Sequence, residues 1–160
     1  MFIDSIKKSV IKKCILLSIL GFGGLAFLCA QTHAEMENLL ESPNVTYAQA
    51  ARFVLEASDA AVISDTREAF LFALERKWLP AEASPDSPAR LDGISLLLMR
   101  SFSIKGGIFY SLFRNPHFAY RELVYLNIIQ GRTDPRMAVS GSQLLFIVGR
   151  TLTVLDRDNT

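Results

Sequence analysis

The chain is 160 residues long, half of them hydrophobic, with 17 lysines and arginines against 16 aspartates and glutamates. That length leaves room for one domain with a real core once any targeting segment is set aside. The even charge balance implies no strongly basic face for nucleic acid or anionic lipid.

Residues 1–13 carry Lys7, Lys8, Lys12 and Lys13, and Cys14 to Ala30 follow without a charge. A basic stretch before an apolar run, closed by Thr32-x-Ala34, reads as a signal peptide over 1–34, cleaved after Ala34. Cleavage after Ala30 stays open. A retained anchor would want about 20 apolar residues, and this run is shorter and broken by Gly21, Gly23 and Gly24. Lipidation of Cys29 is a third route, although Leu28 stands where a small residue is wanted. The expected address is therefore the periplasm or cell envelope, with membrane contact only through a retained leader or a lipidated Cys29. Both cysteines fall in the leader, so the exported part has no disulfide or thiolate chemistry. It keeps 13 cationic against 15 anionic residues.

Residues 35–44 form an acidic lead-in. Thr46 and Gln49 spell a capping box, and Ala50, Phe53, Val54 and Ala57 share a face, which predicts a helix over 47–57. Asp65 and Glu68 open a helix over 66–77 with Phe70, Ala73, Leu74 and Trp78 as its apolar stripe. Three prolines in 79–88 rule out continuation. Ser87 as cap and Pro88 at the first helical position then predict a helix over 88–102, whose Leu91, Ile94, Leu98 and Phe102 stripe, widened by Leu96 and Leu97, marks it as central. Ile108, Phe109, Leu112 and Phe113 suit a short helix after the Gly106-Gly107 turn. Asn115-Pro116 opens a helix with Ala119, Leu123, Leu126 and Ile129 on one face, and Gly131 is expected to supply its left-handed stop. Ser140 and Gln143 repeat the capping box before a last helix, and 156–160 is a polar tail.

A shift of 50 places Ala69 on Ala119, Leu74 on Val124, Leu79 on Ile129, Pro85 on Pro135, Leu97 on Ile147 and Arg100 on Arg150. A shift of 94 places Val45 to Gln49 on Val139 to Gln143. The pattern predicts an all-α domain over 45–155, built as two helix-turn-helix units and a preceding half unit.

These units resemble the S-layer homology repeat. Ala89-Arg90-Leu91-Asp92, Ser140-Gly141-Ser142-Gln143 and Thr46-Tyr47-Ala48-Gln49 are similar to that family's T-R-A-E-like motif, and Phe118-Ala119-Tyr120-Arg121-Glu122-Leu123 to its opening element. The resemblance implies a helical scaffold that attaches envelope proteins to cell-wall polymer. It also implies a motif arginine facing an anionic sugar substituent in a groove between repeats. Arg90 matches that place, whereas Gly141 and Tyr47 occupy it in the other two motifs.

The candidate contacts for peptidoglycan or a secondary glycan are accordingly Arg90, Asp92 and Trp78, with a solvated ion pair and a core tryptophan as the structural alternatives. A second reading, an interaction or oligomerisation module, places a partner protein or a second copy on Phe109, Tyr110 and Phe113. His117, alone in the exported part, lacks the company that a metal site or triad requires. No phosphate loop or paired catalytic carboxylates stand out, so the expectation is a non-enzyme without cofactor, metal or nucleic-acid partner. An envelope hydrolase would instead make Glu122 or Asp134 indispensable.

Overall fold

The computed structural model describes residues 36–131 and 133–158. The expected leader, its cleavage site and Cys29 lie outside the described residues. Residues 36–41 are helical. Six helices follow: α1 (Tyr47–Ala57), α2 (Thr66–Glu75), α3 (Leu91–Ser101), α4 (Ile108–Phe113), α5 (Pro116–Tyr125) and α6 (Gly141–Asp158). No strand forms among the described residues, only two isolated bridges, so the class is all-α.

Local chemistry sets most helix starts. The capping boxes form at Thr46/Gln49 and at Ser140/Gln143. Asp65 accepts from the Glu68 amide, and Asn115, ahead of Pro116, accepts from the Phe118 amide. Each satisfies a first-turn N–H that the helix cannot pair internally.

The start of α3 corrects the expectation of a helix from Pro88. Pro88 is extended and bridges to Thr46, the helix begins at Leu91, and its N-cap is Arg90. The reason is non-local. The Ala89 N–H donates to the Val45 carbonyl at 2.8 Å, the Val45 N–H to Val139 at 2.9 Å, and the Val139 N–H to Ala89 at 2.9 Å. The three bonds close a cycle that joins the segments leading into α1, α3 and α6. Val45, Ala89 and Val139 are buried, so their backbone groups must be paired within the protein. Two residues further on the pattern recurs: Tyr47 N–H donates to Ser87, Leu91 N–H to Met137 and Gly141 N–H to Ser42. The Pro85 and Pro135 carbonyls take the next amides, from Ala48 at 3.1 Å and Asp92 at 2.8 Å. The proline-bearing connections therefore serve as caps for helices other than their own.

Helix ends are equally regular. At α1, α2, α3 and α5 the residue after the C-cap is left-handed, namely Asp59, Lys77, Ser103 and Asn127. In each case the following N–H reaches back into the helix, as in Trp78 to Ala73 (2.9 Å) and Ile128 to Leu123 (2.9 Å). These are Schellman closures made without glycine. Asn127, not Gly131, therefore stops α5, and Gly131 has a positive φ only in the loop beyond. At the other end of the chain α6 continues to Asp158, into the stretch expected as tail.

α1 packs chiefly on α2, and α3 on α5. α3 is the most enclosed element, with Ile94, Leu97 and Leu98 inaccessible to solvent. Its broad apolar surface explains that position.

Candidate functional site

The hydrogen-bond cycle fixes which residues occupy corresponding places. Val45, Ala89 and Val139 correspond; so do Thr46, Arg90 and Ser140, and then Tyr47, Leu91 and Gly141. Arg90 therefore stands at the capping position, one residue from the arginine place that matching by sequence gave it. The later place holds Tyr47, Leu91 and Gly141, none of them cationic.

Arg90 Nη2 donates to Asp92 Oδ2 at 2.6 Å, with the Asp92 side chain mostly buried and that of Arg90 39% exposed. The other Asp92 oxygen accepts from the Gly93 amide at 2.8 Å. Burial lowers the Arg90 pKa, but the hydrogen bond and charge of Asp92 outweigh it and hold the guanidinium above its usual value. Tyr47 is buried over this turn: a Cβ built at Gly93 would lie 2.8 Å from its Cε1 and 3.0 Å from its Cζ, with the hydroxyl nearer still. Burial pushes the Tyr47 hydroxyl up, and the Arg90 backbone pulls it part of the way back. The junction between α1 and α3 is thus filled by a ring. Trp78 is half-buried against the core and edge-on to Phe72 at 6.0 Å. Its backbone N–H closes α2.

The corresponding junction between α3 and α6 is open. A pocket of about 230 Å³ is bounded by Leu91, the connection after α5 and the first turns of α6. Its walls include Ile129, Met137 and Phe146, and its polar lining comes from Gln130, Thr133, Ser142 and Gln143. By the register of the cycle, Ser142 in this lining corresponds to Asp92, and the shift of 50 carries Trp78 onto Ile128. Leu91 stands where Tyr47 stands in the filled junction, and Gln143 where Gly93 does.

A cation stands behind two residues of this lining, Gln130 and Phe146. Arg150 donates through Nε at 2.9 Å to the Asn127 carbonyl, which Nη2 also contacts. With the Gln130 amide turned so that its oxygen faces the guanidinium, that oxygen accepts from Arg150 Nη2 and Nη1 at 3.0 and 3.1 Å. The Arg150 guanidinium also lies 5.7 Å from the Phe146 ring. Tyr120 ties the Thr133 side down, its hydroxyl donating to the Thr133 carbonyl at 2.7 Å. Nothing local in the sequence marks Phe146, Gln130 or Arg150 as contacts; the shift of 50 that matches Arg100 to Arg150 is the signal that points there.

The expected interaction surface divides. Phe109 and Phe113 are 66% and 56% exposed, but Tyr110 is buried and faces inward, which removes it from that surface. Ile108 and Leu112, 85% and 72% exposed, take its place. Among the described residues no cluster of three metal-ligating side chains occurs. His117 is exposed and edge-on to Phe118. Asp134 accepts from the Arg136 amide within its own turn, and Glu122 lies beside Gly107. No described helix is long and apolar enough to cross a membrane. Comparison with known protein families, curated proteins and solved structures finds no match.

Proposed function

We propose that this protein is an exported, non-catalytic module of the cell envelope. In this reading it is built on about two and a half S-layer homology-like units and binds a wall glycan in the junction between α3 and α6. The observation that carries this is the open junction itself. Three helix starts are bonded into one cycle, and the place filled by Tyr47 in one junction is left vacant by Leu91 in the next.

The lining suits a sugar. Apolar walls from Ile129, Met137 and Phe146 fit the C–H faces of a pyranose, and the amides and hydroxyls of Gln130, Gln143, Ser142 and Thr133 offer directional partners. Arg150, held beside Gln130, supplies a fixed cation for a carboxylate or phosphate substituent. Arg90 and Asp92 belong to the preceding junction and act there in support, with Arg90 partly available at its rim, while Trp78 packs edge-on to Phe72.

The test is co-sedimentation of the protein with purified cell-wall sacculi. Saturable binding is expected, weakened about tenfold by Phe146→Ala or Gln130→Ala, which is one lost contact of about 1.4 kcal/mol. Both side chains are exposed, so the fold survives. Arg90→Ala is expected to weaken binding less than either. Absence of saturable binding at low and moderate salt would sink the wall reading.

A further inference from the structure

The links between paired helices differ in length. Residues 58–65 join α1 to α2, whereas residues 102–115 join α3 to α5 and contain α4. The extra length is that of α4 itself, six residues. This insertion adds little to the core, because only Tyr110 is buried. Ile108, Phe109, Leu112 and Phe113 all point out, each more than half exposed. Together they make an apolar cluster of four, whereas no other described helix exposes more than two large apolar side chains.

The surface is preformed. Phe118, at the start of α5, stacks against Phe109 at 5.9 Å and against Phe113 at 5.4 Å, so the two exposed rings are held apart by a third. Cations flank it. Lys105 precedes the helix and Arg114 follows it, both exposed and neither in an ion pair among the described residues. Arg100 joins Lys105 and Arg114 in a groove on the Tyr110 and Ser111 side of α4. The nearby acid is Glu122, at the amino end of α4 beside Gly107.

We propose that α4 docks on an anionic lipid surface, with Ile108, Phe109, Leu112 and Phe113 entering the headgroup region and Lys105 and Arg114 meeting lipid phosphates. A short apolar wedge with flanking cations is the chemistry of interfacial membrane contact, where burial of a few side chains combines with attraction to negative headgroups. Four side chains on a six-residue helix offer less than one face of a stable protein interface requires. Packing α4 on a second copy, parallel or antiparallel, would set cation against cation, because both ends of the helix carry one. The near-zero net charge of the chain does not bear on this, since the cations are local to the patch. The inference rests on α4 alone and is independent of the glycan reading and of the leader.

The test places a probe at the wedge in the full chain. Phe113→Trp is compared with the wild type, whose Trp78 gives the blank, on vesicles of equimolar phosphatidylglycerol and phosphatidylcholine and on phosphatidylcholine alone. The expected result is a blue shift at residue 113 and quenching by brominated acyl chains on the anionic vesicles, while the blank is unchanged. The pair Lys105→Glu and Arg114→Glu is expected to weaken that response about tenfold. Binding through the leader alone would leave the residue-113 signal unchanged, and that result overturns the proposal. A blue shift that grows with protein concentration in the absence of lipid also overturns it, assigning the surface to a second copy.

Discussion

Adding one methyl group at Gly93 probes the filled junction. The new Cβ would meet the Tyr47 ring at 2.8 and 3.0 Å, and that ring is only 4% exposed, so it has nowhere to retreat. Overpacking of this kind costs about 1–3 kcal/mol. Gly93 lies within α3, where alanine is favoured over glycine by about 1 kcal/mol. Gly93→Ala is therefore expected to destabilise by about 1 kcal/mol net. In a Tyr47→Leu background the collision is gone and the helix preference remains, so the same substitution stabilises by about 1 kcal/mol. The coupling between the two sites is then about 2 kcal/mol, and the cost of Tyr47→Leu itself cancels from the cycle. Urea unfolding of the four proteins, followed by far-ultraviolet circular dichroism, measures it. Additivity within about 0.5 kcal/mol would refute the account of Tyr47 as the group that fills this junction.

Four other outcomes follow from the structure. Lys77→Gly relieves a left-handed residue, removing about 1–2 kcal/mol of strain and returning about 0.5–1 kcal/mol as chain entropy. A gain of roughly 0.5–1 kcal/mol is expected in urea unfolding, with less from Asn127→Gly because asparagine tolerates that conformation. Gly141→Ala drives a Cβ onto the Leu39 carbonyl, so it is expected to cost at least about 3 kcal/mol, seen as loss of cooperative unfolding. Tyr110→Phe removes a buried hydroxyl that has no partner among the described residues, and its urea midpoint is expected to be unchanged or higher, by up to about 1 kcal/mol. Tyr47 and Tyr110 have pKa values raised by burial, so the unfolded chain ionises first as pH climbs past 10.0. Stability is whole below that value and falls above it until the folded-state groups titrate, and Tyr47→Phe is expected to show a shallower alkaline loss of urea midpoint.

What could be read from the sequence was what is local. The capping residues Thr46, Asp65, Asn115 and Ser140 act on amides three positions away, and their helices begin where the pattern puts them. Ser87-Pro88 carries an equally good local signal and misleads, because the Ala89 N–H and Thr46 draw that stretch into an extended pairing from 40 residues away or more. Arg90 was displaced by one place for the same reason: only the cycle of backbone bonds sets the register. Periodicity identified Ile108, Phe109, Leu112 and Phe113 as apolar positions on a short helix, but it carries no sign for inside or outside. The inward turn of Tyr110 decides that, and Tyr110 is the one aromatic in α4 that could anchor it while leaving two others exposed.

The cycle also explains why a pocket exists where it does. Tyr47, Leu91 and Gly141 are corresponding residues, and each has a different fate. The Tyr47 ring fills its junction and requires Gly93 opposite, because no side chain fits beneath it. Gly141 lies under the backbone at Leu39 and Leu40, so main chain fills that place and any side chain is forbidden. Leu91 is too small to fill its junction, and a pocket of about 230 Å³ remains beside it. The size of one side chain at one corresponding position thus separates a structural junction from one with room for a ligand. On the same logic, Leu91→Tyr together with Gln143→Gly reproduces the filled pair in the open junction. That double variant gives up the Ser140/Gln143 capping box, so it is expected to fold with a lowered urea midpoint and to lose sacculus binding while still folded, as its circular dichroism under the binding conditions checks. Undiminished binding would move the glycan site away from this pocket.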